Sequence, residues 1–157
     1  ENFQKMGAFK MRGATNAIMQ LSEAQKSKGV VTHSSGNFAQ AVSLAAKSLG
    51  IKAYIVMPST APQVKKDAVI GYNGIISECK PTIKAREHAS NEIVNRTGAT
   101  FIHPSNDIDV IIGNSTACLE LLEDYPNLDY IFAPVGGGGL IAGTALAAHY
   151  FGKKCLR

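Results

Sequence analysis

The strongest constraint on how this chain folds is a recurrence. Gly29, Gly50, Gly74 and Gly98 fall every 21–24 residues, and an apolar segment follows each one. Val30-Val31-Thr32-His33, 51–57, 75–79 and 99–103 have the length and apolar content of strands. Between them lie helical spacings: Phe38, Val42, Ala45 and Leu49 recur at three and four residues, as do Ala85, Ala89 and Ile93. A glycine just past a helix supplies the left-handed residue that stops it. Strands and helices alternating through short joints predict right-handed βαβ units, and so a parallel sheet with helices on its faces.

The rest of the chain fills in around that repeat. A first helix is predicted from Lys10 towards Leu21, with Ser22 capping a short second one. Pro58 and Pro62 bracket the turn before a helix carrying Val64, Ala68 and Val69. Ser105-Asn106-Asp107 is a loop and capping signal ahead of a long helix through Leu119, Leu121 and Leu122. Pro126-Asn127 then breaks the chain, and 129–135 reads as a last strand feeding four consecutive glycines, Gly136 to Gly139. The segment 140–150, with Ala142, Ala145, Ala147 and Ala148, reads as a closely packed small-residue helix. The chain starts at Glu1 rather than methionine, and Lys153-Lys154-Cys155-Leu156-Arg157 looks like the opening of another strand. A fragment is expected.

Composition narrows the classes of function. At 157 residues, 45% hydrophobic and 18% charged, the chain has core material for one domain, or one domain with a small lobe. Its net charge of +4 is spread out with no basic run, which argues against nucleic acid as a partner. Cys79, Cys118 and Cys155 are odd in number and show no CxxC spacing, as expected of a reducing, cytoplasmic setting without structural zinc. No signal peptide and no apolar run long enough for a bilayer is visible, so no membrane partner is expected.

Three stretches can carry chemistry. The glycine run between a strand and a helix offers free backbone N–H groups and a positive helix end to an anion. A mere tight turn is the bland alternative, but four glycines cost chain entropy that a turn does not need. A dinucleotide site is a rival, because 137–142 fits G-x-G-x-x-A; it wants an acidic residue about twenty positions on, and none follows Gly139. Ser34-Ser35-Gly36-Asn37 stands where a strand turns into a helix, at the strand end where open α/β sheets bind ligands, though alone it is simply a helix cap. Lys10, behind the aromatic Phe9, is an amine whose pKa burial or cationic neighbours such as Arg12 could lower. An amine for an aldehyde and a cradle for a phosphate together match pyridoxal 5'-phosphate. His33, His88, His103 and His149 show no ligand spacing and read as structural; Asp107, Asp109, Glu120, Glu123 and Asp124 read as capping or solvated charges.

These residues resemble a known family. Glu1-Asn2-Phe3-Gln4 with Gly7-Ala8-Phe9-Lys10-Met11-Arg12-Gly13-Ala14 resembles the cofactor-lysine motif of the serine/threonine dehydratase and serine racemase family. Thr32-His33-Ser34-Ser35-Gly36-Asn37, Ala61-Pro62 with Lys65-Lys66, His103-Pro104, and Pro134-Val135 running into the glycines and Leu140 match in order. Members are pyridoxal-phosphate enzymes of the tryptophan-synthase-β fold type. The resemblance implies a two-lobed α/β fold, present here as a fragment, with 29–106 the small lobe and 1–28 and 107–157 parts of the large cofactor-binding lobe.

It also implies roles. Lys10 would bond to the cofactor's aldehyde carbon, Phe9 would pack by the ring, and Asn37 would hydrogen-bond its phenolic oxygen. Gly136, Gly137, Gly138 and Gly139 would hold the phosphate; Ser34, Ser35 and Gly36 would line a pocket for the substrate carboxylate. Lys10 and Ser35 would be the catalytic pair on opposite faces of the substrate's α-carbon. The serine at 35 matches serine racemases and hydroxyaspartate dehydratases, where threonine deaminases usually carry alanine. The expected activity is racemisation and α,β-elimination of serine-like hydroxy amino acids; the alternatives are a threonine dehydratase without racemase activity or a non-catalytic cofactor-binding fragment. A homodimer, a small amino-acid substrate and a Mg2+ site formed by residues outside this chain are expected of the full-length protein. Two departures stand out: Phe38 replaces a usual histidine, where only packing is left to it, and Asn114-Ser115-Thr116 replaces Gln-Gly-Thr in what is expected to be a loop near the cofactor.

Overall fold

A computed structural model describes residues 1–152 of the chain. Four parallel strands form one sheet in the order β3-β2-β1-β4: β1 Val30–His33, β2 Ala53–Pro58, β3 Ile75–Cys79 and β4 Thr100–Phe101. The register pairs Val30 with Ala53 and with Thr100, and Tyr54 with Ile75. Both inner strands are buried almost along their whole length, as a parallel sheet covered on two faces requires, whereas edge strand β3 is largely open.

Helices follow each strand: α3 Asn37–Ser48, α4 Gln63–Gly71, α5 Ile83–Thr97 and α6 Ile108–Asp124. Ahead of β1 lie α1 Lys10–Met19 and α2 Glu23–Lys28; α7 Gly139–Phe151 closes the described chain. Local signals explain the boundaries. Ser22 and Gln25 form a reciprocal capping box on α2, Thr82 caps α5, and the Asp107 carboxylate accepts the N–H groups of Asp109 and Val110 at the start of α6. Gly98 is left-handed at φ 71° and stops α5. After α4, by contrast, Asn73 takes the left-handed conformation at φ 61°, and Gly74 is small for packing reasons: a Cβ there would lie 2.5 Å from Ser43 Oγ.

The main core joins α1, α3 and the sheet through Ala14, Ile18, Phe38, Val42, Ile55 and Met57, with Val110 of α6. Helix α6 is gripped on both sides. A Cβ on Gly113 would come within 2.7 Å of Gly13 Cα, and one on Gly143 within 2.7 Å of the Ile111 carbonyl oxygen. These near-contacts let α1 and α7 lie directly on α6, which brings the amino ends of both to one side of the molecule.

Several sequence expectations need correction. The strand expected over 51–57 starts two residues later, and that over 99–103 shrinks to Thr100–Phe101. Segment 129–135 is not a strand, because no described strand runs beside it to complete a ladder; Ile131 packs on α6 and α7 while Phe132 stands 93% exposed. Asn114-Ser115-Thr116 lies within α6 rather than in a loop, and Asn114 is fully buried. The strand opening expected at Lys153 to Arg157, with Cys155, lies outside the described residues.

Candidate cofactor site

Lys10 is the first residue of α1, with Phe9 as its cap. Ala8 and Met11 are buried on either side of the pair, so α1 cannot rotate the lysine outward without exposing them. The Lys10 amine donates to the Pro104 carbonyl at 2.7 Å and lies 5.3 Å from the ring centroids of both Phe9 and Phe38. Burial pushes its pKa below the ordinary lysine value. Its place in the first turn of α1 acts in the same direction, since a helix amino end disfavours a cation.

Arg12 does not cause that shift, contrary to the sequence expectation. Its guanidinium is turned away and neutralised: it donates to Glu120 at 2.7 and 2.6 Å, to Glu1 at 2.9 Å twice, and to Thr116 Oγ1 at 3.0 Å. Glu120 is therefore a partner rather than a merely solvated charge. The hydrogen bonds from Arg12 hold both carboxyl groups below the usual carboxylate range.

Opposite Lys10 is the glycine run. Gly138, left-handed at φ 90°, caps α7, and Gly139 opens it. One cavity of about 260 Å³ is lined by Phe9 and Lys10 on one side and by Pro134, Gly136 to Gly139 and Leu140 on the other. Within it the four glycines differ. A Cβ on Gly136 or Gly138 would meet no protein atom within 4 Å, so the bare backbone there faces open space; one on Gly137 would lie 2.6 Å from Ser105 Oγ, and one on Gly139 3.1 Å from Ser105 Cα. The first N–H groups of α7 have no partner within the helix and point to this end. The Lys10 amine and a run of bare glycine backbone thus share one small cavity.

The 34–37 loop lies at the carboxyl end of β1, where the Ser34 N–H still donates to Val56 and its hydroxyl accepts from the Gly36 N–H at 3.3 Å. Gly36 caps α3. Ser34, Ser35 and Gly36 are half-buried; Asn37 is exposed, its amide oxygen accepting from Lys65 Nζ at 3.0 Å. A carboxamide keeps a donor end besides that oxygen. None of these four lines the 260 Å³ cavity. Their link to Lys10 runs through Phe38, 2% exposed, whose ring packs by the amine.

Sequence reasoning missed the Pro104 carbonyl and the seat of Ser105 against the glycines. A backbone acceptor 94 residues away leaves no trace in residue type. His33 and His103, read as structural, come together with centroids 5.7 Å apart. Burial first, and His103 second, hold His33 below the ordinary imidazole range. Among the described residues no helix is long and apolar enough to cross a membrane.

Comparison with known proteins agrees with this geometry. The sequence profile of the pyridoxal-phosphate dependent enzymes matches residues 1–155. A beta-hydroxyaspartate dehydratase of Paracoccus denitrificans is 53% identical over 93% of this chain and 46% of its own length. A serine racemase of Dictyostelium discoideum is 51% identical over 94% of this chain and 46% of its own. The crystal structure of serine racemase from that organism superposes with a TM-score of 0.94 at 48% identity, covering 99% of this chain and 50% of the other. This chain spans about half the length of the curated relatives it matches.

Proposed function

Because the chain belongs to the pyridoxal-phosphate dependent enzymes, we propose that the full-length protein racemises serine-like hydroxy amino acids and eliminates their β-hydroxyl to give a keto acid and ammonia. The observation that carries this reading is the single cavity shared by the Lys10 amine and the glycine run. Its contents suit the cofactor. An amine with a lowered pKa meets an aldehyde at one end, and bare backbone beside a helix amino end meets a phosphate at the other. Lys10 would hold the aldehyde carbon, Phe9 would pack on the ring, Asn37 would offer its amide to the phenolic oxygen, and Gly136, Gly137, Gly138 and Gly139 would hold the phosphate.

When bound, the cofactor supplies an electron sink that makes the substrate's α-proton acidic. The chain's own groups do the rest. Ser34, Ser35 and Gly36 receive the carboxylate at the amino end of α3, where helix N–H groups favour an anion. The Lys10 amine, once free, exchanges a proton at the α-carbon from its side, and the Ser35 hydroxyl does so from the other. Two faces permit inversion; one face is enough for elimination.

A second reading, a threonine dehydratase without racemase activity, is favoured by one observation: Ser35 is not among the residues lining the cavity. Turnover of L-serine, D-serine and L-threonine separates the two. The division into a small lobe of 29–106 and a large lobe built from 1–28 and 107–157, a Mg2+ site outside this chain and a homodimer remain parts of the proposal for the full-length protein. The central test is borohydride trapping with pyridoxal phosphate. A reduced adduct is expected on Lys10 and is expected to vanish in Lys10→Ala; the same adduct in that variant would end the proposal.

A further inference from the structure

The segment 103–106 touches the cofactor site at two points, and one side chain fixes both. His103 Nδ1 accepts the Ser105 N–H at 3.1 Å and the Asn106 N–H at 2.8 Å. Donation from residues two and three positions on is the pattern of a turn closed by an Asn or Asp side chain, here with a ring nitrogen in place of the oxygen. It requires a lone pair on Nδ1, so the neutral ring carries its proton on Nε2. Edge contacts with His33 at 5.7 Å and Phe101 at 6.2 Å orient the ring.

That turn has two consequences. It aims the Pro104 carbonyl at the Lys10 amine, 2.7 Å away. It also seats Ser105 against the glycine run, closely enough that a Cβ at Gly137 would lie 2.6 Å from its Oγ and 2.9 Å from its Cβ. We propose that His103 is a positioning residue for the site: through its Nδ1 it holds the turn whose Pro104 carbonyl restrains the Lys10 amine and whose Ser105 braces the glycines. The importance for cofactor chemistry rests on Lys10 being the cofactor lysine, whereas the restraint on the amine does not.

The test measures that restraint directly in cofactor-free, full-length protein. Acetic anhydride modifies free amines, and peptide mass spectrometry gives the rate at Lys10. His103→Phe keeps a ring against His33 and Phe101 but removes the acceptor, whereas His103→Asn offers an amide oxygen to the same two N–H groups. Losing the carbonyl restraint is expected to speed acetylation of Lys10 about three- to ten-fold in His103→Phe, the range for one lost hydrogen bond. His103→Asn is expected to restore the wild-type rate, which a role in packing alone would not do. Should the Phe variant fail to fold, His103→Ala takes its place with the same expectation. Wild-type acetylation in the acceptor-free variant, or fast acetylation in His103→Asn, overturns the proposal. A borohydride adduct found elsewhere than on Lys10 would instead defeat the cofactor reading and leave the acetylation result standing.

Discussion

Lys10 and Ser35 are ordinary side chains whose chemistry depends on where the backbone holds them. Lys10 is withdrawn from water between two phenyl rings, and that withdrawal, rather than any cation, lowers its pKa. Ser35 stands in a half-buried turn at the end of β1. If it is the proton donor on the second face, Ser35→Ala is expected to cut serine racemisation by about 10²–10⁴, the usual contribution of one acid/base group. Keto-acid release from L-serine should persist. Chiral chromatography alongside a keto-acid assay reads both, and an equal loss of the two activities would remove Ser35 from proton transfer. Neither residue type was enough by itself in the sequence: the motifs around Lys10 and Ser35, and the family those motifs resemble, marked them out. Arg12 could not be placed that way: a cation beside a lysine looks like a pKa device until Glu1 and Glu120 are seen to neutralise it.

At the scale of elements, the four spaced glycines foretold the order of strands and helices, because each strand is short and each helix must be stopped. What the spacing could not reveal is which residue does the stopping, since Asn73 serves as well as glycine. Nor could it tell an extended segment from a strand, which is a property of two segments rather than one; 129–135 failed for that reason. The glycines inside helices carried a further meaning, close approach of α1 and α7 to α6. Gly143→Val tests it, because the added atoms would meet the α6 backbone at Ile111 and Ser115. Overpacking of this kind costs about 1–3 kcal/mol, and a shifted α7 should also weaken pyridoxal-phosphate binding. Ala142→Val, on the exposed side of α7, is the control and should change stability by less than about 0.5 kcal/mol. Equal melting temperatures and cofactor affinities for the two variants would mean that the α6–α7 contact does not set the site.

Over the whole molecule, the site and the fold pull in opposite directions, and pH makes this measurable. The Lys10 pKa is lowered in the folded chain relative to its ordinary value of 10.5. The unfolded chain therefore binds more protons than the folded one between the lowered value and 10.5, and in that window stability rises with pH. Below the window the folded protein carries the full cost of a buried ammonium; above it, neither state is charged at this position. Glu1 and Glu120 behave differently, because their folded pKa values lie below 4.5 and the stability they lend is present above that value and lost as pH falls through the lowered ones. An acid limb and an alkaline limb thus have separate owners. Lys10→Met keeps the stem and removes the charge, so in cofactor-free protein it should melt above wild type near neutrality. The gap should narrow as pH rises towards 10.5, while the loss of stability in acid should be the same in both proteins. The slope of the gap is diagnostic rather than its size, since methionine changes packing equally at every pH. A gap that stays constant from neutral to alkaline pH would mean that the amine is fully charged without cost, and such an amine could not attack an aldehyde readily.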